Sequence, residues 1–410
     1  MSSAQDEEVA PEGSEEAEIV KVLELDGRYA YFDGETKIEE SECRITLMSD
    51  SVLIDSDGGA HYEFHYRELN KIEELPSEYL VTLSLADGIS FQVDYLGAKY
   101  ADFLNHLYQL RNDQLEQDLL IQEGKASFIT KGKIAFSDVS EPSQGEARIY
   151  KTRLAFFPKV GEPVCLRFSD ISSFKFEDYV AEFLTSAGPP EKISISDLGN
   201  YFETFQRSFT AANRLLLQEI SDLLKRVYPA ISSSNLLRLS RKMMDGIPVP
   251  LIDIAELEPL FLKSIELQIS SESEDLGKSH QYLYTIGDKR GSFIGAKRFV
   301  SDFLYILIPM KARNAVALET NEKGHATYFF KTDSENSIQE IASALREINF
   351  RREPVYLTDE DLLKPQYSKY LFSIQRIKSL KALRDLFIGR AIHGEFEAWK
   401  SQVEGLLKIV

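Results

Sequence analysis

Cysteine occurs only twice, as Cys43 and Cys165, far apart and in no CxxC pair. This excludes a disulfide framework or a zinc ribbon and leaves two lone buried thiols in a reducing compartment as the expectation. Long hydrophobic runs are also missing. The longest, Phe303 to Met310 (FLYILIPM), is far short of the ~20 residues of a membrane span. The N-terminus carries no basic segment followed by an apolar one, so no secretory leader is expected. These absences point to a cytoplasmic protein outside the membrane.

Motifs of catalysis are equally scarce. There is no GxSxG, and no Cys and His lie close in sequence. His61 and His65 have HxxxH spacing, but they sit in a strand-like segment, where i and i+4 are about 13 Å apart at ~3.3 Å per residue and cannot share a metal. Gly287, Gly291 and Gly295 precede Lys297 in GDKRGSFIGAKR without the GxxxxGK[ST] spacing of a phosphate loop. Asp359, Glu360 and Asp361 stand at an expected helix start, where the helix dipole accounts for them. The expectation is a protein that is not an enzyme, with no cofactor and no metal.

What is present is core material, since 43% of residues are apolar and 25 Phe accompany 19 Tyr. At 410 residues the chain is too long for one core and suits two to four domains. Charge is divided: residues 1–275 carry a net −24 and residues 276–410 a net +5. Met1 to Glu18 hold seven acids and no base, a composition that predicts a disordered acidic tail, 1–18.

The chain also repeats itself. YRELNKI, Tyr66 to Ile72, is echoed by FSDISSF, Phe168 to Phe174. Tyr66, Glu68, Leu69 and Ile72 map to Phe168, Asp170, Ile171 and Phe174 by adding 102, as do Leu96-Gly97 to Leu198-Gly199 and Phe103 to Phe205. Between these anchors Tyr79 and Tyr179 are only 100 apart, as a hairpin loop of variable length would make them. A restored register over some forty residues indicates a duplicated domain, because solenoid periods run about 20 to 50 residues.

Within each copy, short β-branched and apolar segments alternate with turns such as Asp57-Gly58-Gly59. The period then switches to helical, with Phe103, Leu104 and Leu107 on one face in the first copy and Phe205, Phe209, Ala212 and Leu216 in the second. This order specifies a bent antiparallel sheet closed by one C-terminal helix. On these segments each copy resembles a pleckstrin-homology-like domain, a relative of the PH and GRAM modules, over about residues 20 to 226. The resemblance implies an α+β fold with PH-like module 1 at 19–122 and module 2 at 123–228.

Beyond Pro229, SNLLRLSRKMMDG reads as a short helix capped by Ser234 or Asn235, IPVPLID as an extended connector, and 229–275 as a helical linker. Strands are expected at QYLYTIG, DFLYILIP, AVALETN and ATYFFK, with a turn at EKG and a helix from about Ser334 to Ile348. Together these suggest a third, divergent PH-like module at 276–355. YSKYLFSIQRIKSLKALRDLF and EFEAWKSQVEGLLKI read as helices of a C-terminal segment, 356–410.

Candidate partner-binding residues are Lys289, Arg290, Lys297 and Arg298, clustered around glycines; Lys369, Arg376, Lys378, Lys381 and Arg384 make a second basic group on an expected helix. The phosphoinositide pocket that PH-like folds often carry would draw on Lys131, Lys133, Arg148, Lys151 and Arg153 of the second copy, whereas the first copy opens on acids that repel an anionic bilayer. A protein partner bound by a non-enzymatic scaffold is the leading reading, with no nucleic acid expected. Tandem PH-like modules with acidic segments also resemble the double PH-like unit of the small subunit of the FACT histone chaperone, which implies an acidic chaperone for basic partners as the alternative. Attachment to a membrane lipid comes third.

Overall fold

The computed structural model describes residues 19–408 apart from 86–87, 121–122, 140, 160–162, 187–189, 299–301, 312, 321–325, 333–336, 349–352 and 365. The acidic segment 1–18 and the EKG turn lie outside the described residues.

The first copy forms Lys21–Asp33 (β1), Thr36–Met48 (β2), Ser51–Ser56 (β3), His61–His65 (β4), Leu69–Leu75 (β5), Leu80–Leu85 (β6) and Ile89–Asp94 (β7), then Tyr100–Leu119 (α1). The second forms Phe128–Phe136 (β8), Ser143–Ile149 (β9), Arg153–Pro158 (β10), Val164–Arg167 (β11), Ile171–Glu177 (β12), Val180–Thr185 (β13) and Lys192–Ser196 (β14), then Phe202–Val227 (α2). Both sheets have the same strand order, β4-β3-β2-β1-β7-β6-β5 and β11-β10-β9-β8-β14-β13-β12. Each is a curled antiparallel sheet compatible with a PH-like module. Phe103 and Leu107, and likewise Phe205 and Phe209, are buried against the concave face, as the apolar stripe of each helix requires.

The duplication extends to irregularities that no periodicity encodes. A register shift falls between Leu69 and Lys71 and again between Ile171 and Ser173. Tyr95 and Asp197 share a left-handed φ of 59° and 61°, and Gly97 and Gly199 one of 55° and 51°. Where the first strand crosses the last, a Cβ on Gly27 would lie 3.0 Å from the Asp94 carbonyl, and one on Gly132 would lie 2.6 Å from the Ser196 carbonyl. The two-residue offset change is a loop difference. Leu75 pairs with Leu80 across four residues, whereas Glu177 pairs with Val180 across two.

The two copies differ in burial inside the repeat. Leu69 and Ile72 are buried, but Ile171 is only half-buried and Phe174 is 45% exposed.

The remainder comprises Ser233–Lys242 (α3), Val249–Pro250 (β15), Leu251–Leu257 (α4), Phe261–Glu272 (α5), Glu274–Ile286 (α6), Phe293–Arg298 (β16), Asp302–Pro309 (β17), Ala315–Thr320 (β18), Ala326–Lys331 (β19), Ser337–Glu347 (α7), Asp359–Leu362 (α8), Ser368–Arg376 (α9), Lys378–Leu386 (α10), Phe387–Ile392 (β20) and Phe396–Leu406 (α11). β15 to β20 form a meander in sequence order, drawn from a wider span than 276–355. Both its faces are covered. Leu304, Ile306 and Ile308 of β17 enter a core shared with α2 to α6 and α11, while Tyr305 and Leu307 enter another shared with α7, α9 and α10. Burial on both sides is why FLYILIPM reads as an unbroken apolar run.

Three local expectations need correction. QYLYTIG is not a strand but the end of α6, because Leu276, His280 and Leu283 recur at helical spacing and bury one face. The N-cap of α3 is Ser232, whose hydroxyl accepts from the Asn235 N–H at 3.2 Å. The long basic helix breaks at Ile377, and its final Phe387 begins β20.

Candidate partner-binding surface

Lys297 does not share a patch with Lys289 and Arg290. Lys289 is exposed, with its Nζ 2.7 Å from Glu266 and 4.6 Å from the Tyr284 ring centroid; Arg290 is exposed beside it. Lys297 is 3% exposed. Its place on β16 turns it inward, where its Nζ donates to the Arg346 and Ile348 carbonyls at 2.6 and 3.3 Å. Those carbonyls end α7, where a cation meets the negative pole of the helix. Burial pushes the Lys297 amine down to about 8, against the opposing pull of Asp245 at 3.7 Å. Arg298 continues β16, and its side chain lies outside the described residues.

Lys297 belongs instead to a seam between module 2 and the third sheet. Arg153 binds Glu123 at 3.1 Å and Glu347 at 3.2 Å; Arg167 binds Asp170 at 2.6 Å and Glu347 at 3.2 Å; Arg346 binds Asp170 at 2.9 Å. Asp245 closes the set next to Lys297, with a left-handed φ of 53° and a carboxyl raised by burial. Four cations face four anions, which is how buried charge is tolerated. Partners such as Arg153 and Glu347 are far apart in the chain, so no motif announces them.

The phosphate-pocket residues are also dispersed. Arg148 is buried among Asp113, Glu116 and Glu146, and Lys151 pairs with Glu219 at 3.2 Å. In the second basic group, Arg376 donates to the Arg67 carbonyl, and Arg384 donates to the Val355 and Leu357 carbonyls. His61 is exposed on β4, its Nδ1 2.6 Å from Asp55. Among the described residues no group of three or more His, Cys, Asp and Glu could hold a metal, and no helix is long and apolar enough to cross a membrane.

A surface the candidate list missed is the edge formed by β12 beside α2. Among the described residues β12 pairs only with β13. Phe174 pairs with Phe183 and Phe176 with Ala181, so both face inward, yet Phe174 remains exposed at the edge. Its ring lies 4.9 Å from that of Phe209, and the Phe176 ring lies 6.2 Å from that of Phe202. In module 1 the equivalent groove is closed: Ile72 is 2% exposed, Tyr108 stands where module 2 has Thr210, and Glu74 stands where it has Phe176. Lys159, from the end of β10, reaches across to Glu74 at 3.4 Å and lies 4.9 Å over the Tyr108 ring. The signal was available in the repeat itself, since Phe174 and Phe176 replace Ile72 and Glu74 on an edge strand.

No family model matches the chain, and no curated protein matches it. Among solved structures the chain is similar to the C-terminal domain of an unknown protein from Leishmania infantum, at 10% identity and a TM-score of 0.19, covering 22% of this chain and 85% of that one. It is also similar to the Spt16D Pob3N heterodimer, at 10% identity and a TM-score of 0.18, covering 41% of this chain and 86% of that one. At these values neither likeness extends to function.

Proposed function

We propose that this chain is a non-enzymatic protein-binding scaffold whose β12–α2 groove takes an extended segment of its partner. The contrast between the two modules supports this reading: one sequence pattern, occurring twice, buries Ile72 in the first copy and leaves Phe174 at the surface in the second. An added strand would gain main-chain hydrogen bonds along β12 and set every second side chain against Phe174 and Phe176. An open edge with an aromatic face is otherwise a liability for aggregation. Affinity capture from native lysate, with wild type, Phe174→Ser and the Lys289→Glu/Arg290→Glu pair as baits, tests it. Wild type and the charge-reversed bait are expected to hold the same partners and Phe174→Ser to lose them. A Phe174→Ser bait that keeps every partner overturns the groove.

A second reading, an acidic chaperone for basic partners, is favoured by the outer face of module 1. Cross-strand register sets Asp26, Arg44 and Asp55 side by side, and Glu24, Glu40, Glu42 and Glu63 are exposed on the same sheet against Arg28 and Arg44. Such a face would bind a basic protein at low salt and release it as screening shortens to roughly 8 Å at physiological ionic strength. Titration of a purified basic protein into wild type and into Asp26→Asn/Asp55→Asn at two salt concentrations checks it; equal binding under all conditions excludes it.

A further inference from the structure

α1 and α2 hold equivalent places in the two modules, and in module 1 the outer side of that helix is already in use. Tyr108, Asn112 and Leu115 are buried. Leu115 packs with Tyr150, Ala155 and Phe157 of module 2, Lys159 lies 4.9 Å over the Tyr108 ring, and Asp113 and Glu116 bind Arg148. Helix acids thus meet sheet cations where one module docks on the next.

Adding 102 carries Asn105, Tyr108, Gln109 and Asn112 to Arg207, Thr210, Ala211 and Arg214, and these four are all exposed. With Glu203 and Gln206 they line a shallow hollow along α2. Leu215 and Gln218, the counterparts of Asp113 and Glu116, are exposed as well. α3 covers only the end of this side, where the Ser221 and Ser240 hydroxyls meet at 2.8 Å, and it adds the exposed Arg238 and Arg241. Among the described residues Arg207, Arg214, Lys225, Arg238 and Arg241 make no ion pair, and the exposed acids on the same two helices are Glu203 and Asp222. The face is cationic.

The matching sheet face stands at the other end of the double module. Register places Asp26, Glu42, Asp55 and Asp57 of module 1 where module 2 has Lys131, Gln144, Phe157 and Lys159. Glu24 and Glu63 lie on the same side, and all six acids are exposed, with Arg44, His61 and His65 as the bases among them.

We propose that the α2–α3 face of one copy docks on the acidic β1–β3 face of a second copy, repeating between chains the contact that α1 makes with β8–β10 inside one. The signs are reversed relative to the internal contact. Helix cations would meet sheet acids, so the α2 face selects module 1 of its neighbour. Because the two surfaces differ, the contact is heterologous and adds copies head to tail instead of stopping at a pair. It does not use Phe174 and needs no foreign partner, so it stands or falls apart from the β12 groove and from the binding of a basic protein.

Sedimentation velocity and light scattering of the purified full chain test the proposal at low salt, with concentration raised into the weak-contact range of about 1 mM. The mass of wild type is expected to climb past that of a dimer, and to fall back once salt screens exposed charges over roughly 8 Å. Arg207→Ser/Arg214→Ser and Asp26→Asn/Asp55→Asn alter exposed side chains; each should melt as wild type does and remain monomeric. Mixed in equal amounts, the two variants keep one intact pairing of faces and should form a dimer that grows no further. A wild type that stays monomeric throughout this range overturns the proposal. So does an assembly that either variant alone preserves, or a mixture that stays monomeric.

Discussion

Lys289 and Lys297 are eight positions apart and look alike in sequence, yet substitution should separate them widely. Lys289→Met loses a surface pair with Glu266 and should cost no more than about 1 kcal/mol. Lys297→Met strands Asp245 without its cation inside the seam and should cost about 3 to 5 kcal/mol; urea denaturation of the two variants checks the difference. Acid sensitivity concentrates at a second buried cluster. Glu319 accepts from His393 at 3.0 Å and from Thr327 at 2.6 Å, and Trp399 donates to the same Thr327 hydroxyl at 3.1 Å. Burial alone would raise the Glu319 carboxyl, but these bonds outweigh it and hold it below its ordinary value. His280 is lowered from 6.5, first by burial; Glu319, Glu266, Lys289 and His393 act on it more weakly. Both groups bind fewer protons folded than unfolded. The stability they contribute is therefore present above the ordinary values and lost as pH falls, for His280 below 6.5 and for Glu319 lower still. His280→Leu should flatten the fall in stability just below pH 6.5, which denaturation at a series of pH values reads directly.

At the scale of the element, the repeat is held by devices with little side-chain signature. Gly27 and Gly132 let the first strand of each module pass the last, and each faces the carbonyl of an equivalent residue, Asp94 or Ser196. A methyl group at Gly132 would meet that carbonyl at 2.6 Å and Ile195 at 2.9 Å, so the strand or its neighbour must move. Gly132→Ala should destabilise module 2 by roughly 1 to 3 kcal/mol, the cost of overpacking, whereas Gly394→Ala, with nothing within 4 Å, should be neutral. Thermal melts of the two variants decide it. α2 is the element that differs most between copies, because it continues past the module. Phe205, Phe209 and Leu216 serve module 2, while Ile220, Leu223, Leu224 and Val227 belong to the core under the third sheet.

For the whole molecule this means that module 2 and the third sheet share a helix as well as the seam of eight charges. A fragment ending at Tyr228 would bare the last two turns of α2 and leave Arg153 and Arg167 without Glu347. In high salt that fragment is expected to bind a hydrophobic dye and to associate, while the full chain does neither; dye fluorescence and gel filtration compare them, and a monomeric, dye-silent fragment would refute the shared core. Module 1 is tied down at two further points. Arg67 pairs with Asp118 at 3.4 Å, and Ser373 and Arg376 of α9 donate to the Asp118 and Arg67 carbonyls. α9 of the C-terminal segment thus meets module 1 at specific backbone groups.

Local pattern alone carried the duplicated architecture: the 102 offset, the turns and the helical stripes that bury Phe103 and Phe205 are short-range features, and a face must be apolar to be buried. The same logic misjudged QYLYTIG, where seven residues cannot distinguish a buried helix end from a strand. It also misplaced Lys297, because a strand's alternation says which face a side chain takes but not what covers that face. The seam, the Glu319 cluster and the contrast between Ile72 and Phe174 were decided by tertiary structure. Each depends on which distant segment arrives at a surface, and charge or exposure acquires meaning only once that neighbour is in place.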